Sequence, residues 1–229
     1  MKIAVLGTGM VGQVLAGRLA ELGHQVTVGT RDPSETLART APAGGPGTPP
    51  FGAWHADHPQ VPLATFAGAA AEAEVIVNAT AGGASLGALE AAGAAGLAGK
   101  VILDLANALD FSNGFPPTLS VANTDSLAER IQRAHPTARV VKSLNTMNCQ
   151  IMVDPSRVPG NHVVFVAGDN ADAKATVVAL LRELGWSAGS ILDLGGLASA
   201  RGTEMILPLW LAIMRTLGSS DFNFAIARA

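Results

Sequence analysis

The sequence predicts an α/β fold, a doubly wound and mainly parallel sheet, in one domain over residues 1–229 with 195–229 as a small C-terminal helical extension. Three observations carry this. The chain opens with the apolar run Ile3-Ala4-Val5-Leu6 and the glycine turn Gly7-Thr8-Gly9-Met10-Val11-Gly12. Apolar residues at helical spacing follow: Val11, Val14, Leu15, Leu19 and Leu22. A second strand then ends in Gly29-Thr30-Arg31. After residue 60, strand and helix patterns alternate, the order that builds a parallel sheet. Strand, GxGxxG turn, helix and strand in that order make a Rossmann-type dinucleotide unit.

Each element follows from its residues. The first strand is apolar on both faces, as a central parallel strand is. Gly7 permits the tight turn, Gly9 lets the backbone approach a pyrophosphate, and Gly12 lets the helix pack closely on the strand. The helix presents free N–H groups and a positive dipole end to phosphates, and Gly23 stops it. Residues 24–28 form the second strand, and Asp32-Pro33-Ser34-Glu35 starts a helix. Residues 42–62, rich in Pro, Gly and His, form a long surface loop. Phe51 and Trp54 fold this loop down or cover the cofactor. His55 and His58 have the spacing of a metal pair, but nothing nearby completes a ligand set, so no metal is expected. Strands are expected over 61–65, 75–80, 101–105, 139–144, 162–167 and 190–194. Helices are expected over 86–97, 125–134 with Thr124 or Asp125 as cap, 172–184 and 201–217. On the last helix, Arg201 and Glu204 sit three apart and are expected to pair. Its apolar face, which includes Met205, Leu209, Trp210 and Met214, is expected to line an acceptor pocket or a homodimer interface.

Ligands of such sheets lie beyond the carboxyl ends of the strands. An NAD site usually carries an Asp or Glu at the end of the second strand. Thr30 and Arg31 stand there instead and suit the 2′-phosphate of NADP(H), with Ser34 adding a hydrogen bond and Asp32 holding Arg31 by an ion pair. Ala79, Thr80, Ala81, Ala106 and Asn107 follow the fourth and fifth strands, the alanines leaving room for a ribose or nicotinamide ring. Asn145 follows the sixth.

Composition narrows the classes. The net charge of −3, with no basic block, excludes nucleic acid or an anionic membrane surface as main partner. One cysteine, Cys149, excludes an internal disulfide and fits a reducing cytoplasm. The longest apolar stretch, 205–214, contains Pro208 and is too short to span a bilayer, and the N-terminal strand leaves no room for a signal peptide. With no tyrosine, the Tyr–Lys acid of short-chain dehydrogenases is absent, and only Lys2, Lys100, Lys142 and Lys174 are available as a catalytic lysine. No nucleophile–base pair stands out, so no catalytic residue is assigned.

Nearly the whole chain resembles the NADP oxidoreductases that depend on the deazaflavin coenzyme F420. The resembling segments are the glycine turn with Gly29-Thr30-Arg31, Val140-Val141-Lys142-Ser143-Leu144-Asn145-Thr146, and Gly168-Asp169-Asn170 with Lys174. The most family-specific is Asp193-Leu194-Gly195-Gly196-Leu197 with Arg201, Glu204 and Leu207-Pro208-Leu209. The resemblance implies direct hydride transfer between NADP(H) and F420, which needs ring alignment more than a strong acid or base. It also implies Thr8, Thr30 and Arg31 at the NADP phosphates, and Ala106, Asn107, Asn145 and Thr146 at the nicotinamide end. Two alternatives stay open: an NADPH-dependent reductase of another small carbonyl, imine or quinone, and a dinucleotide-binding sensor without turnover.

Overall fold

The computed structural model describes residues 1–42, 44 and 47–228. The elements are β1 (Lys2–Leu6), α1 (Met10–Glu21), β2 (Gln25–Thr30), α2 (Pro33–Ala38), α3 (Phe51–Asp57), β3 (Leu63–Thr65), α4 (Phe66–Glu72), β4 (Val75–Asn78), α5 (Gly82–Ala92), α6 (Ala94–Leu97) and β5 (Val101–Asp104). They continue with β6 (Leu109–Asp110), β7 (Thr118–Leu119), α7 (Leu127–Ala134), β8 (Arg139–Ser143), α8 (Cys149–Val153), β9 (Val164–Gly168), α9 (Ala171–Glu183), β10 (Ile191–Asp193), α10 (Ala200–Met205) and α11 (Leu207–Leu217).

The main sheet has the order β10-β9-β8-β5-β4-β1-β2-β3. From β3 to β8 every pairing is parallel, which is the doubly wound order with its switch point between β1 and β4. Two further strands extend it: β9 runs antiparallel to β8, and β10 parallel to β9. A small hairpin of β6 and β7 stands apart. One core layer packs Leu15 and Leu19 of α1 with Phe51, Trp54, Cys149, Ile151 and the α9 residues Val177, Leu180 and Leu181. The other packs Ala69, Leu89, Leu97, Leu127 and Ile131 against Ala4, Leu6, Ile76, Ile102 and Val140. Burial of each leucine or isoleucine here contributes about 1.5–3 kcal/mol.

Several expectations change. Within 42–62 the chain forms helix α3 as well as loop, and residues 43, 45 and 46 lie outside the described residues. The helix forms because Phe51 and Trp54, three apart, are both buried and meet α1 where Gly17 leaves room. A Cβ on Gly17 would stand 3.4 Å from His58 Nε2 and 3.7 Å from Trp54 Cζ2. His58 stacks on Trp54 with ring centroids 4.3 Å apart, and its Nδ1 lies 2.8 Å from the Trp54 carbonyl. The helix expected over 86–97 starts at Gly82 and breaks at Gly93, whose φ is 85°. The cap of α7 is Ser126, not Thr124 or Asp125: its hydroxyl accepts the Glu129 N–H. The helix expected over 201–217 is two, α10 and α11, divided at Ile206 ahead of Pro208. Arg201 and Glu204 do not pair. Arg201 donates to both oxygens of Glu129, at 2.9 and 2.6 Å, while Glu204 points into the interior.

Candidate functional site

The glycine turn is built for close approach. Gly7 has φ 120°, and a Cβ there would stand 2.6 Å from the Ala79 carbonyl oxygen. A Cβ on Gly12 would fall 2.1 Å from the Gly7 carbonyl oxygen. Only glycine fits either position, and the N-terminus of α1 is thereby drawn down onto the ends of β1 and β4. Gly9 caps α1 without a side-chain hydrogen bond, and no acidic residue occupies the first turn. The first N–H groups of α1 thus remain available to an anion. Gln13 braces the turn by donating to the Thr8 carbonyl at 3.1 Å and the Pro49 carbonyl at 3.2 Å.

Three neighbouring hollows lie along the carboxyl ends of the strands. A cleft of about 460 Å³ runs between Arg31, Phe66, Thr80 and the small-residue face of α5. A second of about 450 Å³ is lined by Val11, Ala79, Thr80, Ala81, Ala106, Asn107, Leu109 and Phe111. The largest, about 870 Å³, shares Val11 and Leu109 with the second, and extends past Met10, Gln13 and Trp54 to Met147, Cys149, Trp210 and Met214. Thr80 joins the first two hollows, and Val11 and Leu109 join the last two. The three hollows thus adjoin in one tract along the strand ends.

The structure thus gathers Met10, Val11, Arg31, Ala79, Thr80, Ala81, Ala106 and Asn107 along this tract. Other expected residues are placed differently. The Thr30 hydroxyl is buried and pairs with Thr36 at 2.8 Å, so it faces inward. Asp32 forms no ion pair with Arg31; its carboxylate caps α2 by accepting the Glu35 N–H at 2.9 Å. Arg31 is exposed beside its cleft, and Ser34 is exposed outside it. Asn145 and Thr146 are buried and line neither the second hollow nor the largest. The Asn145 amide donates to Asn107 Oδ1 and to the Thr203 carbonyl, both at 2.9 Å, and Asn107 returns a bond to the Asn145 carbonyl at 2.9 Å. This reciprocal pair ties the ends of β5 and β8 to α10.

Beneath the second hollow lies a polar floor that residue spacing did not announce. Asp104 and Lys142 are register partners on β5 and β8. Lys142 Nζ meets Asp104 at 2.8 Å and Glu204 at 2.9 Å, with all three side chains essentially inaccessible, and it also donates to the Ala106 carbonyl. Burial alone would lower the Lys142 ammonium, but the charges of Asp104 and Glu204 outweigh it and hold it above its ordinary value. Asp104 also accepts from Asn78 at 2.8 Å and from the Ala106 N–H at 3.2 Å. Asn78 in turn accepts from Thr80 at 2.7 Å. Glu204 accepts the first N–H groups of α7, Leu127 at 2.8 Å and Ala128 at 3.1 Å. The chain of bonds runs from Thr80 under Ala106 to α7 and α10. Directly after it, buried Leu144 adopts φ 63°, a left-handed conformation uncommon for a branched residue and characteristic of functional turns.

Comparison with known proteins bears on this geometry. The sequence model of the family "NADP oxidoreductase coenzyme F420-dependent" matches residues 2–108. The F420-dependent NADP reductase of Methanothermobacter marburgensis is 32% identical over 216 residues, covering 91% of this chain and 90% of that protein. The chain belongs to the coenzyme F420-dependent NADP oxidoreductase family. A crystal structure of a candidate F420-dependent NADP reductase from Arthrobacter sp. FB24 is 57% identical, with a TM-score of 0.93 and full coverage of both chains. Metalloreductase STEAP3 of Rattus norvegicus is 28% identical over 213 residues, but the chain spans only 38% of its length. A reductive aminase from Aspergillus terreus, solved with NADPH, shares the fold at 22% identity and a TM-score of 0.62. As a member of this family the protein is an NADP-dependent oxidoreductase acting on small molecules. Among the described residues, no helix is long and apolar enough to cross a membrane.

Proposed function

We propose that the protein transfers hydride between NADP(H) and a deazaflavin coenzyme bound in the largest hollow. The observation that carries this is the junction of the second hollow with the largest at Val11 and Leu109. That junction supports a second ring beside the nicotinamide end of the dinucleotide tract. NADP(H) fits the residues present: the Gly7 and Gly12 cradle, the open N-terminus of α1 for the diphosphate, and exposed Arg31 for the 2′-phosphate. When bound, the dinucleotide supplies a hydride at its nicotinamide ring. The chain's own residues bind, orient and shield. Arg31 offers a planar fork to the phosphate, and Ala79, Ala81 and Ala106 keep the walls low where a ribose and ring pass. The Asn107–Asn145 pair and the Lys142 floor fix the surface on which the ring rests. Met147, Leu109 and Val11 exclude water from the transfer path.

The reading extends to one domain over 1–229, a homodimer partly built by α11, and a cytoplasmic location. Apolar Leu209 and Leu217 on α11, 54% and 59% exposed, support the dimer, and the single buried thiol supports the location. The test is a titration with NADPH and NADH, followed by single-turnover hydride transfer to F420. Tighter binding of NADPH and reduction of the deazaflavin are expected. Equal affinity for the two nucleotides would remove the Arg31 assignment, and no reduction of any deazaflavin would remove the acceptor assignment. A monomer by light scattering at micromolar concentration would remove the dimer.

A further inference from the structure

The largest hollow carries three aromatic rings in its wall: Trp54, Phe115 and Trp210. Its polar lining is uncharged, namely Gln13, Thr48, Asn148, Gln150 and Ser220, and among the described residues no charged side chain lines it. A charged group drawn into such a site loses hydration and gains no partner, whereas a flat apolar ring gains face contacts.

Trp210 is held by the segment that follows α11. Its ring stacks on Phe222, with centroids 5.3 Å apart and planes at 25°, and Phe222 meets Phe224 edge-on at 6.4 Å. The segment has no helix or strand of its own, yet it is tied down at both ends. Asn148 donates to Ser220 Oγ at one end. At the other, the Phe224 carbonyl accepts the Val163 N–H at 2.9 Å, and Asn223 donates to the Val163 carbonyl at 2.9 Å and meets His162 Nδ1 at 2.9 Å. These bonds make residues 220–224 a strap behind the indole.

Resting on the hydride-transfer reading above, we propose that this hollow takes the acceptor as an uncharged flat aromatic ring. Trp210 is the specificity-determining wall, and the strap positions it. The acidic side chain of a deazaflavin coenzyme then lies in solvent and adds little to affinity. The chemistry balances without further reactants. The C4–H bond of the dihydronicotinamide breaks, and its electron pair leaves with the hydrogen to the acceptor ring. A solvent proton completes the reduced acceptor, and the nicotinamide is oxidised.

The test uses three probes: menadione, the 8-hydroxy-5-deazaflavin ring with its ribityl chain but without the acidic side chain, and complete F420. Dissociation constants for the enzyme saturated with NADP⁺ are measured by calorimetry at low and high salt, beside transfer rates from NADPH. The two deazaflavins are expected to bind within about threefold of each other, with little salt dependence, since no cation reads the acidic chain. Trp210→Leu is expected to weaken both by about fivefold to tenfold, as loss of one stacking face predicts, with NADPH affinity unchanged. Phe222→Ala is expected to act in the same direction to a smaller extent. The proposal is overturned if complete F420 binds more than about tenfold tighter than the side-chain-free ring and this advantage fades with salt. It is equally overturned if Trp210→Leu leaves both constants unchanged. Reduction of menadione with neither deazaflavin reduced would sink the deazaflavin assignment and leave the ring-binding proposal standing.

Discussion

Lys142→Met replaces a buried cation by an apolar side chain of similar length and leaves Asp104 and Glu204 facing each other without it. Breaking a buried ion pair by removing one partner typically costs about 3–5 kcal/mol. Here the lower end applies, about 3 kcal/mol, because each carboxylate keeps two other donors: Asn78 and the Ala106 N–H for Asp104, and the Leu127 and Ala128 N–H groups for Glu204. For a chain of this size that corresponds to a melting temperature lower by about 6–12 °C. The assay is urea and thermal unfolding of the variant beside the parent and beside Lys142→Met combined with Glu204→Gln. The double variant removes one uncompensated charge and should recover about 1–2 kcal/mol of the loss. A single variant melting within about 2 °C of the parent, or a double variant no more stable than the single one, refutes the reasoning.

Arg31→Ala should weaken NADPH by about 1–3 kcal/mol, the contribution of a charge-assisted contact, and leave NADH nearly unchanged in a fluorescence titration. Gly12→Ala puts a methyl 2.1 Å from the Gly7 carbonyl oxygen. It should cost about 1–3 kcal/mol in unfolding experiments and abolish measurable dinucleotide binding, because α1 is pushed off the turn. Arg201→Ala tests a pH dependence. The Arg201 guanidinium is the largest influence on the Glu129 carboxyl and holds it below its ordinary value. A depressed carboxyl stabilises the fold above its unfolded pKa of about 4.3 and loses that contribution as pH falls through the folded value. The variant should therefore melt below the parent at pH 7, with the gap closing in acid; a gap independent of pH would contradict the assignment.

The glycine turn, the mainly parallel sheet and the place of Arg31 were legible because each depends on local chemistry: a missing Cβ, apolar runs, a guanidinium at a strand end. The departures share another cause. Thr30 stands at the right position, but its partner Thr36 belongs to the next helix and turns the hydroxyl inward. Arg201 and Glu204 have ideal spacing for a helical pair, yet tertiary partners outcompete it: Glu129 for one, and Lys142 with the α7 N-terminus for the other. Helix α3 was hidden in a Pro-, Gly- and His-rich segment, although Phe51, Trp54 and His58 fall at helical spacing and were a usable signal. Lys142 was visible only as one of few lysines; nothing local says that a lysine in an apolar strand meets Asp104 from a neighbouring strand and Glu204 from a distant helix.

That last arrangement sets an order of assembly. Asp104 and Lys142 are synthesised and brought into register when β5 and β8 pair, but Glu204 comes 62 positions after Lys142. Until it docks, the first N–H groups of α7 lack their acceptor and Lys142 has one counter-charge in place of two. The six parallel strands can therefore align before the floor of the second hollow is finished. The carboxylate that finishes it arrives on the same short helix that leads into α11 and Trp210, so the floor of the second hollow and the wall of the largest reach their final form in one docking event.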